Sequence, residues 1–320
     1  MTNRLHNALA ERILLLDGGF GTMMQQNHFT EEDYRGERFK AHPTPLKGCN
    51  DLLSLTQPAA VEAIHEKYLQ AGADIITCNS FNANAISLAD YDLSAYAREM
   101  AAAAARIART IADRYTQQNP SKPRFVAGSV GPTNRTASLS ADVENPAARE
   151  ITFQQLKEAY RDQIEGLAEG GVDILLIETV FDTLNCKAAL YAIREAGIQL
   201  PVMVSGTLAD KSGRTLSGQT VEAFATSVEH ADLLSMGLNC AFGARDLMPY
   251  IERLSKVASC RISAHPNAGL PNLMGGYDET PAMFAEDIRH YLERGLLNIV
   301  GGCCGTTPAH IFELQKIVGN

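Results

Sequence analysis

Residues 170–179 read Gly-Gly-Val-Asp-Ile-Leu-Leu-Ile-Glu-Thr, and residues 71–77 read Ala-Gly-Ala-Asp-Ile-Ile-Thr. In both, glycine follows a helical pattern and an acid introduces a short, unbroken apolar run. Glycine just past a helix supplies the left-handed residue that ends it. An apolar run without alternation marks a strand covered on both faces, as in a parallel sheet wrapped by helices. The two stretches therefore read as the return from helix to strand in a βα repeat. Working outward, similar runs occur at 13–16, 124–127, 201–204, 233–236, 261–264 and 297–300. Helical patterns lie between them. Residues 58–71 align Val61, Ile64, His65, Tyr68 and Leu69, residues 95–114 are Ala-rich with Met100, Ile107 and Ile111, and residues 153–168 align Phe153, Leu156, Tyr160, Ile164 and Leu167. Further helices fit 183–196, 220–230, 244–258, 281–294 and 308–318. Eight strands alternating with helices predict an α/β fold, a (β/α)8 TIM barrel in a single domain over residues 1–320, with a doubly wound sheet as the alternative.

The 320 residues carry 28 Lys+Arg against 37 Asp+Glu, a net charge of −9. An acidic balance without a basic run argues against a polyanion partner, so no nucleic acid is expected. Apolar stretches fall far short of the ~20 residues a membrane helix needs, and residues 1–12 hold no signal core. The expectation is a cytoplasmic protein without membrane contact, whose residues before Glu11 are unremarkable. Seven cysteines, an odd number without a secretory signal, read as reduced thiols.

In a (β/α)8 barrel the chemistry sits just past the strands, on their C-terminal rim. That filter collects Asp17-Gly18-Gly19-Phe20-Gly21-Thr22, Thr77-Cys78-Asn79-Ser80, Glu178-Thr179, Asn239-Cys240, His265-Pro266-Asn267 and Gly302-Cys303-Cys304-Gly305. Thiolates are soft ligands, and the sixth and eighth strands of a barrel are separated by one strand, so Cys240 can approach Cys303 and Cys304. Three thiolates leave one tetrahedral position open for substrate. The flanking glycines let two adjacent side chains turn toward one ion. The other readings of these cysteines are core packing or a vicinal disulfide. Cys49, Cys78, Cys186 and Cys260 lack partners at metal-like spacing. Gly19-Phe20-Gly21 has Met24 where a dinucleotide fingerprint needs its third glycine, and Lys211-Ser212-Gly213 lacks the P-loop order.

Asp17-Gly18-Gly19-x-Gly21-Thr22, Glu178-Thr179 followed by Asp182, Gly237-x-Asn239-Cys240 and Gly301-Gly302-Cys303-Cys304-Gly305-Thr306-Thr307-Pro308 resemble the homocysteine S-methyltransferase family of zinc-dependent barrels. Within it, residues 131–138, 181–185, 212–218 and 265–271 look like the homocysteine-binding module of cobalamin-dependent methionine synthases. The resemblance implies zinc on Cys240, Cys303 and Cys304, with the amide oxygen of Asn267 in the fourth position before substrate arrives. It implies homocysteine as substrate and methylcobalamin as methyl donor, supplied by a cobalamin-binding module or protein. Methionine synthases of that kind continue into further modules, so a chain ending at Asn320 is expected to be either one module or a protein served by a separate partner. Homocysteine's ammonium calls for carboxylates, for which Asp17 and Glu178 are placed, and its carboxylate calls for the Gly18-Gly19 amides with the hydroxyl of Thr22 or Ser80. His265 is read as structural or as a support to the metal ligands, and Arg135 as shaping or closing the mouth. The competing readings are S-methylmethionine or betaine as donor, for which aromatic caging is expected although the chain has no Trp, and a non-catalytic zinc-binding scaffold.

Overall fold

Asp74 and Asp173, the acids of the two opening stretches, are buried at the base of their strands. Asp74 accepts from the Leu15 amide at 3.0 Å and from both terminal nitrogens of Arg12 at 2.6 and 2.9 Å. Asp173 accepts from the Val126 amide at 2.8 Å and from Arg109 at 2.5 Å. Each acid thus ties its own strand to the preceding one, and its charge is matched by an arginine. The glycines before them, Gly72 and Gly171, have φ of 106° and 90°, the left-handed conformation that ends a helix.

The computed structural model describes residues 2–140, 142–272 and 274–318. Its strands are β1 (Leu14–Leu15), β2 (Ile75–Thr77), β3 (Phe125–Val130), β4 (Ile174–Val180), β5 (Val202–Gly206), β6 (Leu233–Gly243), β7 (Arg261–Asn267) and β8 (Ile299–Val300). All neighbours are parallel, in the order β1-β8-β7-β6-β5-β4-β3-β2. A parallel bridge from Leu16 to Ile75 joins the two ends, so the sheet closes on itself. Closure selects the (β/α)8 barrel over the doubly wound sheet. The eight expected helices are present, among them Pro58–Gln70, Ala97–Gln118 and Phe153–Gly170. Among the described residues no helix is long and apolar enough to cross a membrane.

Two features depart from the sequence reading. β6 runs to Gly243, well past the expected 236, because its C-terminal part is an irregular extension against β7. Residues before Glu11 also have a structural role, forming a helix over Thr2–Glu11. Its Leu5, Ala8 and Leu9 form one buried cluster with Leu14, Leu16, Ile75, Phe125, Ala127, Ile174, Leu176, Met203, Leu234 and Ile299. This cluster fills the lower barrel, and the helix seals its base. Leu5→Ala should cost about 3 kcal/mol, the usual cost of emptying a closed core site. Urea unfolding monitored by circular dichroism checks this, and a loss under about 1 kcal/mol would mean the helix is only loosely docked.

Candidate metal and substrate site

The irregular end of β6 presents the first thiol. Between Asn239, which pairs with His265, and Gly243, which pairs with Asn267, β6 carries two more residues than β7. Cys240 and Ala241 absorb them with φ of 60° and 61°. Neither is glycine, so each carries strain of order 1–3 kcal/mol that the surrounding hydrogen bonds must hold. The loop after β8 presents the other two. The Cys303 amide donates to Pro266 O at 2.8 Å, the Cys304 amide to Asn267 Oδ1 at 3.1 Å, and Cys304 O accepts from Ala268 at 2.9 Å. From the other side Thr306 Oγ1 donates to Cys303 O at 2.6 Å and accepts from the Gly19 amide at 2.9 Å.

Held this way, the sulfurs of Cys240, Cys303 and Cys304 lie within 4.8 Å of one another, the arrangement expected of a three-ligand metal site. Cys240 and Cys304 are 3.7 Å apart. A tetrahedral zinc centre with Zn–S of about 2.3 Å has sulfurs about 3.8 Å apart, so this edge already has the right length. The thiols also share charge. Hydrogen bonds from Cys240 and Cys303 hold the Cys304 thiol down to about 3. Hydrogen bonding to Cys240 and Cys304, with burial, pushes Cys303 far up. Cys240 accepts from Cys303, but its bond to Cys304 and its burial outweigh this and push it up to about 11. By contrast Cys49, Cys78 and Cys186 are buried outside the cluster, and burial pushes each of those thiols up.

Two carboxylates sit on the same rim, Asp17 buried and Glu178 half-buried. Asp17 accepts from the Thr77 amide at 2.8 Å and from its hydroxyl at 3.0 and 3.1 Å. Burial nevertheless pushes it up to about 8 against those bonds, with the charge of Glu178 adding to the rise. Glu178 accepts from Ser129 Oγ at 2.5 Å, and burial pushes it up to about 7 against that bond, with Cys304 adding. Among the described residues no cationic side chain is a leading cause of either shift.

The remaining expected residues are placed as follows. A Cβ on Gly19 would lie 2.7 Å from Cys303 O, so the first loop packs directly on the cysteine loop. Thr22 Oγ1 accepts from the Gly305 amide at 2.9 Å, leaving its own proton to donate. Ser80 Oγ donates to Ser129 O at 2.8 Å and retains only acceptor capacity. His265 is 2% exposed, its Nε2 has no partner, and burial pushes its pKa down to about 4, which keeps it neutral. Arg135 lies at the surface, 3.6 Å from Glu150.

Asn239 was collected at the rim by the sequence reading, but no role was assigned to it. Its Oδ1 accepts from the Thr179 amide at 2.9 Å and from Ser205 Oγ at 2.7 Å, while its Nδ2 donates to Thr179 Oγ1 at 2.8 Å and reaches Cys303 Sγ at 3.8 Å. Thr179 follows Glu178 and has φ of 56°, where β4 shifts register against β5. One side chain thus braces both the carboxylate-bearing bulge and a thiol. Its position beside Cys240 in the motif was the available signal.

Barrel and rim together define a TIM-barrel enzyme whose site pairs a thiol cluster with two carboxylates. A family model described as homocysteine S-methyltransferase matches residues 14–318, and the chain belongs to that family of methyltransferases. Among solved structures it is similar to the homocysteine methyltransferase MmuM from Escherichia coli. The metallated form is 22% identical, with a TM-score of 0.73, over 95% of this chain and 96% of that one. The oxidized form is 21% identical, with a TM-score of 0.75, over 95% of each. At these identities the likeness speaks for the shared barrel.

Proposed function

We propose that the chain binds homocysteine at a zinc ion held by Cys240, Cys303 and Cys304. Its sulfur would be methylated from methylcobalamin, carried by a cobalamin-binding module or protein, to give methionine. The observation behind this reading is the meeting, on one rim, of three thiols in a metal-sized triangle with the carboxylates of Asp17 and Glu178, for neither of which an ion pair is found among the described residues. Cys240, Cys303 and Cys304 would hold the zinc, which when bound would supply the ionisation of a substrate thiol at neutral pH. Asp17 and Glu178 receive the substrate's ammonium, which removes the cost of burying their charge. The Thr22 hydroxyl and the Gly18 amide would meet its carboxylate, the expected Gly19 amide being taken up by Thr306, and Ser80 supports the wall through Ser129. Asn267 holds the Cys304 amide, and the second lone pair of its oxygen suits the fourth position before homocysteine arrives. Homocysteine's sulfur attacks the methyl carbon, and the S–C bond forms as the bond from methyl to its carrier breaks.

The methylcobalamin donor rests on the sequence motifs, and the absence of Trp weighs against a tryptophan cage for a sulfonium or quaternary ammonium donor. Methionine formation from homocysteine is measured with free methylcobalamin, S-methylmethionine or betaine in turn. Product with methylcobalamin alone is the expected result. Product only with S-methylmethionine or betaine would reassign the donor, and none with any would favour a zinc-binding scaffold.

A further inference from the structure

The loop after β1 and the loop after β8 are fastened to each other, and one hydroxyl lies at the centre of the join. Thr306 is fully buried, and its Oγ1 accepts from the Gly19 amide at 2.9 Å while donating its proton to Cys303 O at 2.6 Å. A hydroxyl has one proton and two lone pairs, so this single atom serves both loops. Around it the Gly302 amide donates to Asp17 O at 3.0 Å and the Gly305 amide to Thr22 Oγ1 at 2.9 Å. Tyr68, also fully buried, comes from the helix Pro58–Gln70. Its hydroxyl reaches Gly19 O at 3.2 Å and Thr306 O at 3.3 Å, one carbonyl from each loop. The packing is close, since a Cβ on Gly18 would lie 2.7 Å from Thr306 Oγ1 and 3.1 Å from the Tyr68 hydroxyl.

The two loops carry the two ends of the proposed substrate. Asp17 and Gly18 would meet its ammonium and carboxylate, and a metal on Cys303 and Cys304 would take its sulfur. Joining the loops therefore fixes the span between the α-carbon end and the sulfur end of an amino acid lying across them. We propose that Thr306, backed by Tyr68, is the positioning residue that sets this span and so selects homocysteine over cysteine, which is one methylene shorter. This rests on the zinc and homocysteine reading above. With its sulfur on the metal, cysteine falls short of the Gly18 amide, and the join keeps the loop from following it. One methylene in a fitted site is worth about 10- to 200-fold in discrimination.

The test compares Thr306→Val, which keeps the shape and removes both hydrogen bonds, with Thr306→Ser, which keeps the hydroxyl. Zinc content is determined, and the affinities of homocysteine and cysteine for each zinc-loaded protein are measured by calorimetric titration. Wild type is expected to hold homocysteine at least about tenfold more tightly than cysteine. In Thr306→Val the homocysteine affinity should fall about tenfold, the usual effect of losing a buried hydrogen bond. Cysteine affinity and zinc content should stay nearly the same, so the preference collapses, and Thr306→Ser should restore it. A wild-type preference in Thr306→Val overturns the inference, whether both affinities are unchanged or both fall together. So does a Thr306→Ser protein that behaves like Thr306→Val, which would trace the effect to the methyl group, and so does a wild type without preference. If Thr306→Val fails to fold or loses its zinc, Tyr68→Phe, which removes one hydroxyl from the same join, is judged by the same ratio: a narrowed preference supports the inference and an unchanged one overturns it. Homocysteine held equally well by wild type stripped of zinc would instead overturn the metal reading beneath it.

Discussion

Cys303→Ala should strip the protein of its zinc and lower methionine formation by about 10³-fold or more, the several kcal/mol that metal activation of a nucleophile contributes. Cys303 is the thiol reached by Asn239, and its sulfur lies within 4.8 Å of both others. Without it two sulfurs remain, too few to keep a tetrahedral metal against competing ligands. The loop itself should persist, because its anchors are backbone groups: the Cys303 amide on Pro266, the Cys304 amide on Asn267 and Cys304 O on Ala268. Metal-free wild type and metal-free variant should therefore unfold at nearly the same temperature while their zinc contents differ completely. Cys260→Ala is the control, since Cys260 stands outside the cluster and should keep both metal and activity. A Cys303→Ala protein with full zinc and activity would remove the basis of the proposed function.

Glu178→Gln separates substrate binding from metal binding. The amide still accepts from Ser129 but has no charge to offer an ammonium, and loss of a charge-assisted bond costs about 1.5–3 kcal/mol, or roughly 10- to 100-fold in homocysteine affinity. Zinc content should not change. The pH dependence has a definite sign. Asp17 and Glu178, pushed up to about 8 and about 7 by burial, are partly protonated at neutral pH without substrate, and an ammonium binds their ionised forms. Homocysteine affinity should therefore fall as pH drops below about 8. In Glu178→Gln the part of that fall near pH 7 should vanish, leaving the dependence set by Asp17. Stability of the substrate-free protein runs the other way. A carboxyl whose folded pKa exceeds its unfolded value binds protons better when folded, so these two groups make the fold less stable as pH rises from about 4 to about 8. Calorimetric titration across pH 6–9 checks the binding sign, and an affinity independent of pH would remove the carboxylates from the site.

The strands were legible because burial on both faces leaves a residue-type signature, and Gly-x-Asp marked two of their starts. The base-sealing helix was missed although Leu5, Ala8 and Leu9 have helical spacing, since three small-to-medium apolar residues in a polar stretch do not reveal what they cover. The cysteines were legible through position alone, by lying past strand ends. The turn of Cys240 and Ala241 into left-handed backbone was not, because neither residue type favours it and the cause is a register shift imposed by β7. The role of Asn239 escaped notice for a related reason, although the residue itself stood in the motif. That role is a set of hydrogen bonds to a bulge and its neighbours, which leaves no periodicity to read.

The helix beneath the barrel has a consequence for traffic. With Leu5, Ala8 and Leu9 packed into its floor, the barrel is a cul-de-sac, and every reactant and product of the proposed reaction would pass through one mouth. A bulky donor of the proposed kind, seated on that mouth, would close the way in and out. Turnover would then run in a set sequence: the amino acid would enter first, the donor would dock over it, and the product would leave only after the donor had lifted away.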